Sequence, residues 1–350
     1  MKVLLTGAAG FIGYHVAQRL LKRGIEVVGL DSINDYYDPQ LKQARLQNLG
    51  IQHVVEGEKI VSSSDALFSF YKANIEDNEG MKTIFANEKF DRVIHLAAYA
   101  GVRYSIEQPH VYIQANVVGF LNILEGCRHN HVQHLVYASS SSVYGLNKKM
   151  PLSVHDNVDH PISLYAATKK SNELMAHSYS YLYNMSVTGL RFFNVYGPWG
   201  RPDSALYKFT KAILNGDVID VYNHGEMIRD FTFVDDIAEG VVQVCLKEAK
   251  SNLAWDAETP DPGTSPANYR IYNIGRSSPV NLMDYIKAIE KETGKKAIMR
   301  MMPMQPGDIS TSFADVQDLI QDIGYAPTVN IDEGVKAFVD WYIKKEQGKR

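Results

Sequence analysis

Short, continuous apolar runs recur along residues 2–192. They alternate with stretches in which apolar residues return at every third or fourth position. The runs suit strands buried on both faces, and the second spacing suits helices with one face against a core. Strands are predicted at residues 2–6, 25–30, 68–75, 91–96, 134–139 and 186–192. Helices are predicted at 11–23, with Ile12, Val16, Leu20 and Leu21 on one face, and at 79–87, 109–127 and 163–182. Another, through about Leu49, opens at Asp38-Pro39, a capping residue followed by proline at the first helical position. Residues 51–66 are polar without a period and predict a surface excursion. Strand–helix alternation on this scale predicts an α/β fold, a Rossmann-type doubly wound parallel sheet. From Tyr196 onward the elements shorten, proline and glycine become frequent, and residues 256–268 form a loop rich in Pro and Asp. The expected organisation is a first domain over 1–195, with later strands interleaved from about 228–248 and 268–276. A smaller α+β lobe would occupy mainly 196–350.

The 350 residues are 45% hydrophobic and 22% charged, enough apolar material for a sizeable core. A net charge of −4 argues against a nucleic-acid partner, yet leaves room for a local basic pocket that holds a phosphate. Cys127 and Cys245 are too few for a disulfide framework and lack metal-ligand spacing, so both read as buried small hydrophobes. The histidines form no ligand cluster, and no metal is expected. No apolar run approaches the ~18 residues of a membrane span, and the apolar start is too short for a signal peptide. The expected location is cytoplasmic.

Candidate chemistry begins with Gly7-Ala8-Ala9-Gly10-Phe11-Ile12-Gly13, between the first strand and the first helix. Glycines there let the backbone turn tightly and approach a pyrophosphate, which would rest on the helix N-terminus. Asp31 ends the second strand, where a carboxylate can accept ribose hydroxyls and would repel a 2′-phosphate. That favours NAD over NADP. Asn74 and Ile75 end the third strand, and Asn74 reads either as an adenine contact or as a loop cap. Leu96, Ala97 and Ala98 end the fourth, leaving room for a cofactor or simply packing. Tyr165 and Lys169 lie four apart on one helix face. A neighbouring ammonium and a cationic nicotinamide ring would both favour phenolate, so the expected Tyr165 pKa is lowered and the residue can act as a base. The serine run at 139–142 falls at the end of the fifth strand, where ligands of open α/β sheets bind. Asn116 sits mid-helix, where asparagine is disfavoured, which suggests a side-chain role or a local kink.

The glycine triplet, the serines before Val143-Tyr144-Gly145, Tyr165-x-x-x-Lys169 and Arg229-Asp230-Phe231 resemble the extended short-chain dehydrogenase/reductase family over nearly the whole chain. Longer segments, Asp31-Ser32-Ile33-Asn34-Asp35-Tyr36-Tyr37-Asp38, AGVRYSIEQP, DNVDHPISLYAATKK and VYGPWGRPD, resemble the UDP-glucuronate 4-epimerases. The resemblance implies tightly held NAD, with Asn34 and Asn116 joining the cofactor contacts, and catalysis by Tyr165, Lys169 and Ser140. Tyr165 would take the carbon-4 hydroxyl proton while hydride leaves that carbon. The 4-keto sugar would then rotate and receive hydride on its other face. Ser141 and Ser142 would grip the uronate carboxylate, Arg201 would line the substrate pocket, and Arg229 and Asp308 would meet the UDP part. Arg103 reads equally as a substrate-side contact and as a cap of the long helix. Trp199 is expected at the pocket wall, whereas Trp255 and Trp341 read as packing.

Ser142 stands where related dehydratases and decarboxylases carry Glu, which argues for simple epimerisation. Asn194 stands where Thr is common, and Ser204 where Met is typical. Asn194 suits enzymes for neutral UDP-hexoses, so UDP-glucose or UDP-N-acetylhexosamine 4-epimerase is an alternative. UDP-glucuronate decarboxylase and a non-catalytic NAD-binding regulator are the others. The resemblance also implies a homodimer formed through helices 109–127 and 163–182, and service in polysaccharide biosynthesis. The basic end, 344–350, reads as a solvated tail.

Overall fold

In the run Val3-Leu4-Leu5 all three side chains are fully buried, and they alternate between two cores, Val3 and Leu5 on one side and Leu4 on the other. Only a central strand covered on both faces allows this. In the computed structural model, which describes residues 1–305 and 307–347, that strand is β1 (Lys2–Thr6). There follow α1 (Phe11–Lys22), β2 (Glu26–Asp31), α2 (Pro39–Asn48), β3 (Lys59–Val61), β4 (Phe68–Lys72), α3 (Asn78–Glu88) and β5 (Arg92–His95). Next come α4 (Tyr104–Glu107) and one long helical run in three parts: α5 (Pro109–Tyr112), a π-helical stretch (Ile113–Val118) and α6 (Gly119–His129). β6 (His134–Ser140) leads through a 3₁₀ turn (Ser141–Tyr144) to α7 (Leu164–Tyr183) and β7 (Ser186–Phe192). Side chains fix the helix starts. Asp38 accepts the Gln40 N–H at 2.9 Å ahead of α2, and Ser163 accepts the Ala166 N–H at 3.2 Å ahead of α7.

The remaining elements are β8 (Asn194–Tyr196), α8 (Ala205–Asn215), β9 (Val218–Val221), β10 (Ile228–Phe233), α9 (Val234–Leu246), β11 (Tyr269–Ile274) and β12 (Pro279–Asn281). α10 (Leu282–Thr293), β13 (Ile298–Met301), β14 (Thr311–Ser312), α11 (Gln317–Ile323) and α12 (Ile331–Gln347) complete them. The main sheet has eight strands in the order β11-β7-β6-β5-β1-β2-β4-β3, all parallel except for the β3–β4 pair. The chain runs outward to one side of β1 first and then to the other, so the switch point lies between β1 and β5, where such sheets bind ligands.

Three expectations are corrected. The 51–66 excursion contains β3, which pairs antiparallel with β4. The predicted 109–127 helix is interrupted by the π stretch. Of the two returning segments, 268–276 supplies β11 to the main sheet, but the strand within 228–248 does not join it. β6 and β11 occupy the two edges of β7, and β10 pairs instead with β8, β12 and β14 in a smaller sheet. Only its helix α9 returns to the main sheet, burying Ile237, Val241 and Val244 in the core that holds Val3 and Leu5. The small lobe has its own core, with Tyr196, Phe231, Tyr285 and Phe338 at its centre. Residues 348–350 of the basic tail lie outside the described residues.

Candidate active site

A cavity of about 490 Å³ opens at the carboxyl ends of β1, β2, β5 and β6 and continues to the small lobe. At one end, Gly7 adopts φ +73°, and its N–H reaches the Leu30 carbonyl at 2.7 Å. A side chain at Gly13 would place Cβ 2.1 Å from the Gly7 carbonyl oxygen, so only glycine lets α1 start this close to the turn. Gly10 caps α1 without any side-chain hydrogen bond, leaving first-turn N–H groups available to an anion. Gly7, Gly10, Phe11, Ile12 and Gly13 all line the cavity, as do Asp31, Asn34, Asn74, Ile75, Leu96, Ala97 and Ala98. These donors and this shape suit a dinucleotide.

Asp31 accepts the Ile33 N–H at 2.9 Å and stands 3.6 Å from Lys42 Nζ, which donates to Asn34 Oδ1 at 2.7 Å. Lys42, Tyr36 and Tyr37 line the cavity, and sequence reasoning assigned them no role. The Asp31–Tyr37 segment had drawn notice as a motif, which was the available signal. Arg45 was missed entirely. It is fully buried and donates to the Ala9 carbonyl at 2.8 Å, the Tyr37 hydroxyl at 2.7 Å and the Trp199 carbonyl at 2.6 Å.

At the other end, Ser140, Ser141, Ser142, Tyr165, Lys169, Asn194 and Arg201 converge on the same cavity. Lys169 Nζ donates to the Ala138 carbonyl at 2.9 Å, and Ser140 Oγ accepts the Ser142 N–H at 3.1 Å. Burial brings the Lys169 pKa down to about 8. The protein's own groups do not by themselves bring the lowering of the Tyr165 pKa that a neighbouring ammonium and a cationic nicotinamide ring would together give. Burial dominates and pushes it up, while the Ser140 hydrogen bond and the Arg201 charge work the other way. Arg201 is held by Asp203, which meets Nε at 2.9 Å and also Nη2, and its guanidinium lies 5.6 Å from the Tyr36 ring centroid. Burial opposes the Arg201 charge, but Asp203 outweighs it and keeps the side chain cationic.

Other predicted residues lie elsewhere. Asn116 does not line the cavity. Its side chain is used up by the Tyr99 N–H (2.9 Å), the Tyr99 carbonyl (3.0 Å) and Thr168 Oγ1 (3.1 Å), so it ties the post-β5 loop to α7. Arg103 is exposed, 5.4 Å from the Tyr222 ring centroid on the small lobe. Arg229 pairs with Asp308 at 2.8 Å and donates to the carbonyls of Ser310 and Ile309, outside the cavity lining. Trp199 packs on Tyr14 and Trp341 instead of walling the pocket. Cys127 and Cys245 are buried free thiols. Among the described residues no His/Cys/Asp/Glu group could hold a metal ion, and no helix is long and apolar enough to cross a membrane.

The glycine turn, the acidic end of β2 and the Tyr/Lys/Ser group at the switch point define a dinucleotide-dependent enzyme site. The profile of the NAD dependent epimerase/dehydratase family matches residues 3–275, and the chain belongs to that family. It is 54% identical over 344 residues to Protein CapI of Staphylococcus aureus, covering 98% of this chain and 99% of that protein. It is 44% identical to a probable UDP-glucuronate 4-epimerase of Rhizobium meliloti (strain 1021), covering 98% and 97%. Among solved structures, a UDP-glucuronic acid 4-epimerase from Bacillus cereus in complex with UDP-glucuronic acid and NAD superposes with a TM-score of 0.85. The identity is 30%, over 99% of this chain and 100% of that one. The expected NAD-dependent epimerase on a doubly wound sheet is borne out.

Proposed function

We propose that this protein is a UDP-glucuronate 4-epimerase, interconverting UDP-glucuronate and UDP-galacturonate. The observation that carries the reading is the convergence of Tyr165, Ser140 and Lys169 with an uncharged serine turn, in a cavity that runs on to the glycine turn. Tyr165 accepts the carbon-4 hydroxyl proton and returns it after the keto sugar turns over, with Ser140 bridging the two oxygens. Lys169 holds the nicotinamide ribose. NAD, when bound, would supply the hydride acceptor for carbon 4, and its cationic ring would add to the Arg201 charge that favours the Tyr165 phenolate against burial. Ser141 and Ser142 hold the carboxylate against loss of carbon dioxide, and Arg201 faces the sugar. Asn194 lines the sugar end, and Arg229, Asp308 and Arg103 serve the nucleotide end as the lobe (196–350) closes on the first domain (1–195). Lobe closure would carry Arg229 and Asp308 inward from the positions described above and over Arg103.

A second reading has one observation in its favour. Asp203 already neutralises Arg201, and Asn194 lines the cavity, an arrangement that suits a neutral UDP-hexose. Proton NMR of the protein incubated separately with UDP-glucuronate and UDP-glucose decides between them. Conversion of only the first to its galacto epimer is expected, and conversion of only the second would transfer specificity to the neutral-sugar class. Tyr165→Phe should lower turnover by at least about 10²-fold with NAD still bound. Full activity in that variant would end the proposed chemistry.

We further propose a cytoplasmic homodimer that feeds polysaccharide biosynthesis. The dimer is supported by the large apolar side chains that the long helical run and α7 leave exposed, among them Ile113, Leu121, Leu174, Tyr181 and Leu182.

A further inference from the structure

Directly beneath the serine turn lies a buried ion pair. Glu173 is on α7, one helical turn beyond Lys169, and is 1% exposed; Arg191, near the end of β7, is fully buried. The two meet twice, Arg191 Nε to Glu173 Oε1 at 2.9 Å and Nη2 to Oε2 at 3.0 Å. Glu173 Oε1 also accepts the Ser139 hydroxyl at 2.6 Å. The Arg191 guanidinium lies 4.8 Å from the ring centroid of Tyr144, the last residue of the turn, and the Tyr144 hydroxyl is anchored on Asn273 at 2.7 Å. Arg191 Nη1 is buried without a hydrogen-bond partner among the described residues.

A buried pair of this kind is weak evidence for stability. Each charge gives up hydration, and an apolar pair of the same volume is often as stable. What it supplies is geometry. A bidentate contact between planar groups fixes both side chains, and here it joins Ser139, in β6 just ahead of the serine turn, and Tyr144, the last residue of that turn, to the helix that carries Tyr165 and Lys169. Burial works against the Glu173 charge, but Arg191 outweighs it and holds the carboxyl below its usual range, so the pair stays ionised.

We infer that Glu173, through Ser139 and Arg191, is a positioning residue that sets the serine turn against the substrate carboxylate and so decides how each turnover ends. The inference rests on the UDP-glucuronate reading. A 4-keto uronate is a β-keto acid. When its carboxylate is free to rotate, the bond from carbon 5 to the carboxylate breaks and its electron pair enters the carbon-4 carbonyl as an enolate. Carbon dioxide leaves, a solvent proton restores carbon 5, and return of the hydride to carbon 4 turns the resulting 4-keto pentose into the pentose. A serine turn held in one place opposes this by keeping charge on the carboxylate, whereas a turn free to shift by about an ångström does not.

The test is a product ratio, which does not depend on how much of the sample is folded. NAD-loaded wild type, Glu173→Gln and Ser139→Ala are incubated with UDP-glucuronate, and proton NMR measures pentose against epimer. Both variants should raise the pentose share by about tenfold. Ser139→Ala keeps the Arg191–Glu173 pair and removes only one buried hydrogen bond, so it remains informative should Glu173→Gln fold poorly. A pentose share at the wild-type level in Ser139→Ala and in folded Glu173→Gln, whatever their melting temperatures, would reduce the pair to a structural role and overturn the inference. Wild type that leaves UDP-glucuronate unconverted would remove the substrate reading and this inference with it.

Discussion

The acidic end of β2 shows how one side chain decides a cofactor. Asp31 does two jobs: it accepts the Ile33 N–H, and it stands 3.6 Å from Lys42 Nζ. Without Asp31, Lys42 would become an unpaired cation beside the site of the adenosine ribose, where a 2′-phosphate could use it. Asp31→Ser should therefore weaken NAD binding by about tenfold and strengthen NADP binding by a similar factor. Calorimetric titration of cofactor-free protein with each dinucleotide reads this directly, and unchanged preference would mean that Lys42 does not reach the phosphate. Asp31 was legible because its place after the glycine turn is set by strand and helix lengths. Arg45 and Glu173 were not, because their partners come from other elements, Arg45 from the Trp199 carbonyl and Glu173 from Ser139 and Arg191, and Lys42 was not, because only the fold of the loop after β2 brings Asp31 and Asn34 against it. The Tyr165 base was legible as a residue but not in its electrostatics. Spacing shows that Lys169 is near, while burial, which raises the Tyr165 pKa, appears only in three dimensions.

Between segments, the loop over 256–268 is pinned by a histidine. His155 Nδ1 meets Asp261 at 2.8 Å and Nε2 meets Asp318 of α11 at 3.1 Å, while Arg270 of β11 bonds Asp318 at 2.9 Å. Burial and the Arg270 charge oppose a protonated His155, but Asp261 and Asp318 outweigh them and raise its pKa above 6.5. A raised histidine stabilises fully below the unfolded value and loses that contribution as pH climbs through the folded value. His155→Ala should accordingly be less stable than wild type at about pH 5.5, by up to about 1 kcal/mol once solvent screening is allowed for, with the gap closing by about pH 9. Urea melts of both proteins at the two pH values test this, and a gap that does not change with pH would show that the contact is steric. The buried strands were legible because each is an uninterrupted apolar run. β3 was not, since Lys59 and Val61 are exposed and it exists only by pairing with β4. The π stretch left one trace, the mid-helix Asn116 that suggests a kink, while the apolar spacing hid it, because inserting one residue per turn barely disturbs a spacing of three to four.

At the scale of the whole molecule, one group of exposed apolar side chains lies on a pair of helices. Leu174 is 58% and Leu182 66% exposed on α7, and Leu121 is 40% exposed on α6. Replacing Leu174 and Leu182 with Glu should yield a monomer by sedimentation velocity, since charge on a self-complementary face is repeated across the two-fold axis. A variant that still sediments like wild type would place the contact elsewhere or show that none exists. The expectation of a dimer rests on the family resemblance alone. Composition carried no trace of it, because an apolar face turned to a partner reads in sequence like one turned to a core. A change in element length after Tyr196 foreshadowed a second core, but the pairing of β10 was not legible, because strand partners come from distant parts of the chain.

That last point bears on how the chain is made. β7 ends at Phe192, yet β11, which covers its outer edge, does not begin until Tyr269. A growing polypeptide emerging from the ribosome therefore holds an open, apolar strand edge through the synthesis of the whole intervening stretch, α8 and α9 included. Any chain stopped before Tyr269 would keep that edge for good, so truncation at the apparent lobe boundary should give insoluble material instead of an isolated cofactor-binding fragment.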